Sequence, residues 1–339
     1  MQYTQLGRTG LKVSRLCLGT MNYGPQATEQ ESHAQMDKAL ELGINFFDTA
    51  DVYGWKKGEG WTEQIIGRWF EQGNRRRENT ILATKVFADM DLDERDHTMK
   101  RGLSALKIRR ACEGSLRRLK TEYIDLYQMH HVSRHTPWEE IWQAMDVLVK
   151  QGKVIYVGSS NFSALHIAVA QQSARESRLL GLVSEQSKYS LLSRTIELEV
   201  IPACQHFGLA VIPWSPLEGG LLAGVLQKAD SGRRAADHVR KRIEKIRPQL
   251  EAWEKFCAER GHSPADMALA WMLHHPGITA PIIGPRTLDQ LTGSLKALEI
   301  RLDESDLRRL DRIFPGPAGS SDEGISDWSR QRAPEAYAW

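Results

Sequence analysis

The 339-residue chain has few cysteines, no long apolar run and almost no net charge. Its four cysteines, Cys17, Cys112, Cys204 and Cys257, lie far apart, with no C-x-x-C pair and no metal-ligand spacing. That excludes a disulfide scaffold and points to reduced thiols in a cytoplasmic protein that needs no metal. No apolar run approaches the roughly 20 residues of a membrane helix. The N-terminal MQYTQLGRTGLKVSRL also lacks the charged-then-apolar order of a signal peptide. A formal net charge of +2 gives neither the basic field of a nucleic-acid binder nor an acidic tail. Neither G-x-G-x-x-G nor G-x-x-x-x-G-K-[ST] occurs, so the phosphate loop of an open doubly wound sheet is missing. Internal repeats and a second domain are not visible.

What is present is an ordinary globular composition, 41% hydrophobic and 26% charged, with a recurring pattern laid over it. YTQLGRTGLKVSRL alternates around a glycine-containing turn and predicts a small hairpin. Short β-rich runs then follow at residues 15–19, 45–49, 80–86, 123–130, 154–160, 182–186, 210–215 and 280–284. Between them lie amphipathic stretches. Thr28, three residues before Glu31, forms a capping-box signal for a helix ending near Gly43. Further helices fit residues 62–72, 109–119, 138–151, 163–172, 195–207, 264–275 and 287–297. Most of the strand runs are nearly continuous in apolar residues, as strands buried on both faces are. Eight strand–helix units without a phosphate loop predict an α/β fold of the closed (β/α)₈ TIM-barrel type, with the hairpin at its N-terminus. The long, basic interval from Leu217 to Gly261 predicts an extra loop and helix after strand 7, over the barrel mouth. Residues 1–316 read as one barrel unit, and 317–339 as a C-terminal extension packed on or near it.

Chemistry in such a barrel sits at the C-terminal ends of the strands. There the sequence places Asp48 with Tyr53 just beyond, Lys85, His130 and His131, the run Ser159–Ser160–Asn161, Glu185–Gln186, and Trp214–Ser215. An Asp and a Tyr after a short strand are commonplace, and the pair alone is as readily an ordinary loop. Taken with its neighbours it has a purpose. A tyrosine hydroxyl titrates near ~10, and a nearby ammonium lowers that value. Lys85 is the available cation, Asp48 a carboxylate to hold it, and His130 a group to hydrogen-bond a substrate oxygen. Such a unit protonates an oxygen on which negative charge develops, which a carbonyl requires when it accepts a hydride.

The order LGRTGLKVSRLCLGTMNYG, FFDTADVYG, ATKV, YIDLYQMH, GKVIYVGSSNF, EQSKYSLL, WSPLEGGLLAG and IIGPRTLDQL covers nearly the whole chain and resembles the aldo-keto reductase family. The resemblance implies a barrel that reduces aldehydes or ketones with a nicotinamide cofactor, usually NADPH. It maps the family's catalytic residues onto Asp48, Tyr53, Lys85 and His130. Gly19, Thr20 and Met21, with Asp48 and Gln26, match the segment beside the nicotinamide. Ser160, Asn161 and Gln186 match the carboxamide contacts, and Trp214 the aromatic under the ring. Ser215, Pro216, Leu217, Gly219 and Gly220 match the pyrophosphate loop. Gly284, Arg286, Gln290 and Ser294 match the adenosine end, where the Arg286 fork suits a 2′-phosphate.

Three positions depart from that pattern. Val225 stands where many relatives are basic, Gly293 where an acid is frequent, and Ser294 where Asn is frequent. The cation count near a 2′-phosphate is therefore low, so NADPH is expected first and NADH is less excluded than usual. The loop after Tyr53 is longer than usual and adds Trp55 and Trp61 as pocket walls. Strand alternation predicts that His130 and His131 face opposite sides. His135, His274 and His275 read as loop or helix-end residues, and the basic run Arg233–Arg247 as a solvated face. The expected partner is a small-molecule carbonyl compound, with no nucleic acid and no membrane. Two alternatives stay open. One is a redox-sensing role like that of the potassium-channel β subunits, which carry Asn where this chain has His130. The other is an enzyme working mainly as an NADP-dependent alcohol dehydrogenase.

Overall fold

Two short strands, β1 (Tyr3–Gln5) and β2 (Lys12–Ser14), pair antiparallel and turn at Gly7. Gly7 has φ +57°, and a Cβ there would stand 2.6 Å from the carbonyl oxygens of Gly208 and Val183. Only glycine allows that approach, and it lets the hairpin press Leu6 and Val13 against one end of the barrel interior. The computed structural model describes residues 1–54, 59–90, 100–227 and 237–317.

After the hairpin the chain alternates strand and helix. The order is β3 (Cys17–Gly19), α1 (Glu29–Glu41), β4 (Phe46–Asp48), α2 (Trp61–Glu71), β5 (Ile81–Val86), α3 (Ala105–Leu119) and β6 (Ile124–Met129). It continues with α4 (Trp138–Lys150), β7 (Val154–Ser160), α5 (Ala164–Glu176), β8 (Leu182–Gln186), α6 (Val200–Phe207) and β9 (Ala210–Val211). Then come α7 (Asp237–Lys245), α8 (Arg247–Glu259), α9 (Pro264–His274), β10 (Ile282–Ile283), α10 (Leu288–Gly293) and α11 (Glu304–Ile313). The eight strands β3 to β10 form one parallel sheet whose first strand pairs with its last, Cys17 opposite Ile282. On the other side, Thr279 N donates to Val211 O at 2.9 Å and Ile282 N to Pro213 O at 2.8 Å. Those bonds close the cylinder, and the fold is the expected (β/α)₈ barrel with its hairpin.

Alternation divides each strand between two cores. In β4, β5 and β6 the registers set Phe46 beside Ile81, Asp48 beside Ala83 beside Leu126, and Lys85 beside Gln128. Phe46, Ala83 and Leu126 fill the barrel together with Cys17, Val183, Ala210, Ile212 and Ala280. Their neighbours Phe47, Leu82, Val86, Tyr127 and Met129 point outward, packed under the helices. The same period that carries Phe46 inward therefore carries Asp48 inward one step later, and Ala83 is followed by Lys85. The cysteines at positions 17, 112, 204 and 257 are free and buried, and burial pushes every one of these thiols up.

The interval from Leu217 to Gly261 holds two helices, α7 and α8, rather than one; part of it, residues 228–236, lies outside the described residues. Arg242 of α7 donates to buried Glu218 at 2.8 Å, tying that helix to the loop after β9. The stretch 195–207 is a 3₁₀ turn at Thr195–Glu197 followed by α6, because Glu199 leaves helical geometry (φ −140°). α11 is an addition that the apolar periodicity did not reveal. Its signal is local: Asp303 and Asp306 form a reciprocal capping box. α11 packs on α8, with Phe314 against Trp253 at 5.9 Å and Arg309 paired with Glu259. The expected extension falls outside the described residues from 318 onward, as does Trp55. Among the described residues no helix is long and apolar enough to cross a membrane.

Candidate active site

Four strand ends build one buried polar cluster at the C-terminal mouth. Lys85 Nζ, with no exposure, donates to Asp48 Oδ2 at 2.7 Å, to Thr49 O at 2.8 Å and to Tyr53 Oη at 3.2 Å. Its three N–H donors are thereby matched by three oxygens. Asp48 Oδ1 accepts from Gln186 Nε2 at 2.7 Å and from Gln128 Nε2 at 3.1 Å. Two amide donors and an ammonium therefore surround this buried carboxyl group in place of water. Tyr53 reaches inward from the turn after β4, which is held by Tyr53 N to Ala50 O (3.2 Å) and Thr62 N to Tyr53 O (3.3 Å).

The electrostatics depart from expectation at Tyr53. Burial raises its hydroxyl above the ordinary value; Lys85 pulls it down, and the charges of Asp48 and Asp51 push it up again. Lys85 acts in the expected direction but does not prevail, because desolvation penalises a phenolate more than one ammonium rewards it. The result is a tyrosine that is fully protonated at neutral pH, as a proton donor must be. Lys85 is itself desolvated, but Asp48 and Tyr53 outweigh that and hold its pKa above the usual lysine value. His130 is driven down to about 2 by burial, by Lys85 and by His131. It is a neutral imidazole, a hydrogen-bonding group rather than an acid.

His130 and His131 do not face opposite sides. Their rings stack at 5.1 Å with 7° between planes, and His131 also meets Phe87 at 5.3 Å. β6 ends at Met129, so both histidines lie beyond the strand and alternation no longer governs them. Tyr53 meets His130 edge-on at 6.1 Å. Trp61 closes the near wall: Cβ atoms at Gly24 and Gly54 would stand 2.9 and 2.6 Å from it.

The residues expected around the nicotinamide continue this network. Asn161, at φ 60°, donates through Nδ2 to His130 O at 3.1 Å and accepts from Trp214 Nε1 at 3.1 Å. Ser160 Oγ donates to Gln186 O at 2.8 Å. Thr20 donates twice to Asp48 O, through N at 3.0 Å and Oγ1 at 2.9 Å, while Gly19 ends β3 beside it. Met21 and Gln26 lie exposed on the following loop. Gln186, expected at a carboxamide, turns its amide toward Asp48 and so joins the buried polar cluster. The loop from Ser215 through Pro216 and Leu217 to Gly220 bends through positive φ at Ser215, Glu218, Gly219 and Gly220. At Gly219 and Gly220 a Cβ would meet nothing within 4 Å, an open backbone suited to a pyrophosphate. Gly284, Arg286, Gln290 and Ser294 gather separately at α10, where Gln290 Oε1 accepts from Arg286 N at 2.8 Å and Gln290 O from Ser294 Oγ at 2.8 Å. Asn22, which sequence reasoning passed over, joins this group to the loop after β3 through Gly284 O at 3.3 Å. Gln128 was also passed over. Its signal was the alternation of YIDLYQMH, which aims Gln128 inward beside Lys85.

The donor set fits a nicotinamide dinucleotide: the Trp214 indole fixed by Asn161, Ser160 beside it, and the exposed Arg286 next to α10. A family model for the aldo/keto reductases matches residues 15–314. The "Uncharacterized oxidoreductase YrpG" of Bacillus subtilis is 53% identical over 100% of both chains. The "Versiconal hemiacetal acetate reductase" of Aspergillus parasiticus is 32% identical, over 93% of this chain and 97% of its own. At 32% identity, over 88% and 92% respectively, stands a rice protein named "Probable voltage-gated potassium channel subunit beta".

Proposed function

The chain belongs to the aldo/keto reductase family and is an oxidoreductase, and from that premise we propose that it reduces an aldehyde or ketone to an alcohol with NADPH. The reading is carried by one observation: Lys85 Nζ holds Asp48 and Tyr53 together inside the barrel mouth at 2.7 and 3.2 Å. Tyr53 gives its hydroxyl proton to the carbonyl oxygen as that atom gains negative charge. Lys85 then stabilises the phenolate left behind, worth more in a dry site than in water. Asp48 keeps Lys85 charged and aimed. His130, neutral, donates a hydrogen bond that orients the carbonyl without competing for the proton. The dinucleotide supplies the hydride. Trp214 would back its ring, Ser160 and Asn161 would hold its amide, Ser215 to Gly220 would line its phosphates, and Arg286 would pair with a 2′-phosphate. Because Arg286 is one cation, NADPH is preferred over NADH by a modest margin.

The rice and fungal relatives are equally similar to this chain, so their names do not separate a channel partner from a reductase. His130 favours the reductase. Hydride transfer is reversible, and alcohol oxidation with NADP⁺ uses the same groups. The test is a carbonyl panel followed by loss of NADPH and NADH absorbance. Tyr53→Phe is expected to cut turnover by ~10²–10⁴ while cofactor affinity stays nearly unchanged. Undiminished turnover in that variant overturns the reading.

A further inference from the structure

Between Asp48 and Tyr53 lies a third ionisable group that the chemistry above does not use. Asp51 is fully buried, and neither carboxyl oxygen makes a well-formed hydrogen bond; the adjacent Val52 amide offers a weak contact. Its own amide donates to Lys85 O at 3.3 Å, fixing the start of the turn that carries Tyr53. Among the described residues, the charged groups that act on Asp51 are committed elsewhere. Glu63 of α2 accepts from Thr84 Oγ1 at 2.6 Å and from Arg118 Nε of α3 at 2.7 Å. Lys107 of α3 donates to Ala88 O at 2.7 Å. Tyr127 of β6, close enough to feel the Asp51 charge, has a buried hydroxyl that is also without a partner.

A carboxylate cannot rest in such a place without donors. We propose that Asp51 is a positioning residue that works uncharged: as a neutral acid it lets the turn seat Tyr53 against Lys85, and as an anion it displaces that turn and slows reduction. An anion there is drawn toward Arg118 and Lys107, away from its seat, and its charge makes Tyr53 a weaker acid. Burial, reinforced by Glu63 and opposed by Lys107, Arg118 and the Val52 amide, pushes the Asp51 carboxyl up to about 7. The enzyme would then lose turnover on the alkaline side of neutrality, well before Tyr53 itself titrates. The inference rests on Tyr53 being the proton donor.

The experiment compares pH profiles of kcat for wild type and Asp51→Asn, with Tyr53→Phe alongside. One unit above the wild-type midpoint, Asp51→Asn is expected to outpace wild type by roughly tenfold, the ratio set by deprotonation of a single group. Parallel profiles overturn the proposal. Infrared difference spectra, wild type minus Asp51→Asn, supply a readout independent of turnover. A carboxylic-acid carbonyl band must appear below the midpoint and vanish above it; its absence below overturns the proposal. If Asp51→Asn does not fold, Glu63→Gln serves, since removing that neighbouring charge eases Asp51 ionisation and must move the alkaline limb to lower pH. An unmoved limb overturns the proposal. Full activity in Tyr53→Phe instead overturns the reading of the site, and the infrared titration still judges Asp51 separately.

Discussion

Lys85 is tolerable in a dry barrel only because three oxygens surround its ammonium, and the reverse holds for Asp48. Lys85→Met removes one charge of a buried pair and strands the other. Asp48 keeps its two glutamine amides, yet the variant is expected to lose about 3–5 kcal/mol of stability in chemical denaturation, as broken buried pairs do. A loss below about 1 kcal/mol, the size of an exposed pair, would show that Asp48 and Lys85 are not held as described. At this scale the inward placement of Asp48 and Lys85 was legible, because the apolar run of each strand fixes its direction; Tyr53 and Asn161 lie just beyond their strands, where alternation says less. Gln128 was legible in principle from the same alternation. Asp51 was not: its meaning depends on Glu63, Arg118 and Tyr127, which arrive from three other elements. The pairing of His130 with His131 was misjudged because the strand ends one residue earlier than its composition suggests.

Elements begin where side chains satisfy loose amides. Thr28 accepts from Glu31 N at 3.3 Å while Glu31 Oε2 accepts from Thr28 N at 2.8 Å. Thr28→Ala is expected to cost about 1 kcal/mol, read as a lowered denaturation midpoint with an unchanged slope. A change in slope would mean that the substitution alters more than a cap. The barrel strands were readable because both faces are apolar, and the helices between them because their apolar residues recur at helical spacing. α11 escaped notice for the opposite reason. ESDLRRLDRI is mostly charged, and its few apolar side chains gain meaning only against α8. The split of 195–207 into two pieces likewise follows a backbone bend at Glu199 that no composition announces.

At the scale of the whole molecule, buried groups such as Glu185 and His130 pull stability in opposite directions with pH. Glu185 is pushed up to about 7 by burial, against hydrogen bonds from Ser159, Ser187 and the Phe162 amide. The folded state therefore keeps a proton that the unfolded chain has released, and stability falls as pH rises from about 4.5 to about 7. His130 does the reverse. Folded, it refuses a proton until about 2, whereas unfolded it binds one near 6.5, so stability falls as pH drops below that value. Glu185→Gln should make the first limb shallower, leaving the share that Asp51 contributes in the same direction, and His130→Gln should do likewise for the second, measured as denaturation free energy across pH. A limb whose slope is wholly unchanged in its variant would reassign that pH dependence to other groups.

The sealed thiols have a practical and a chemical consequence. Aldehydes and ketones are electrophiles, and a reactive sulfur near the mouth would be captured by them as a hemithioacetal. With every cysteine enclosed and reluctant to ionise, the folded catalyst presents its reactants with no sulfur nucleophile. For the same reason a single cysteine introduced at exposed Met21 would be the one site at which a maleimide dye attaches, giving a fluorescent reporter beside the reaction chamber with no background to remove.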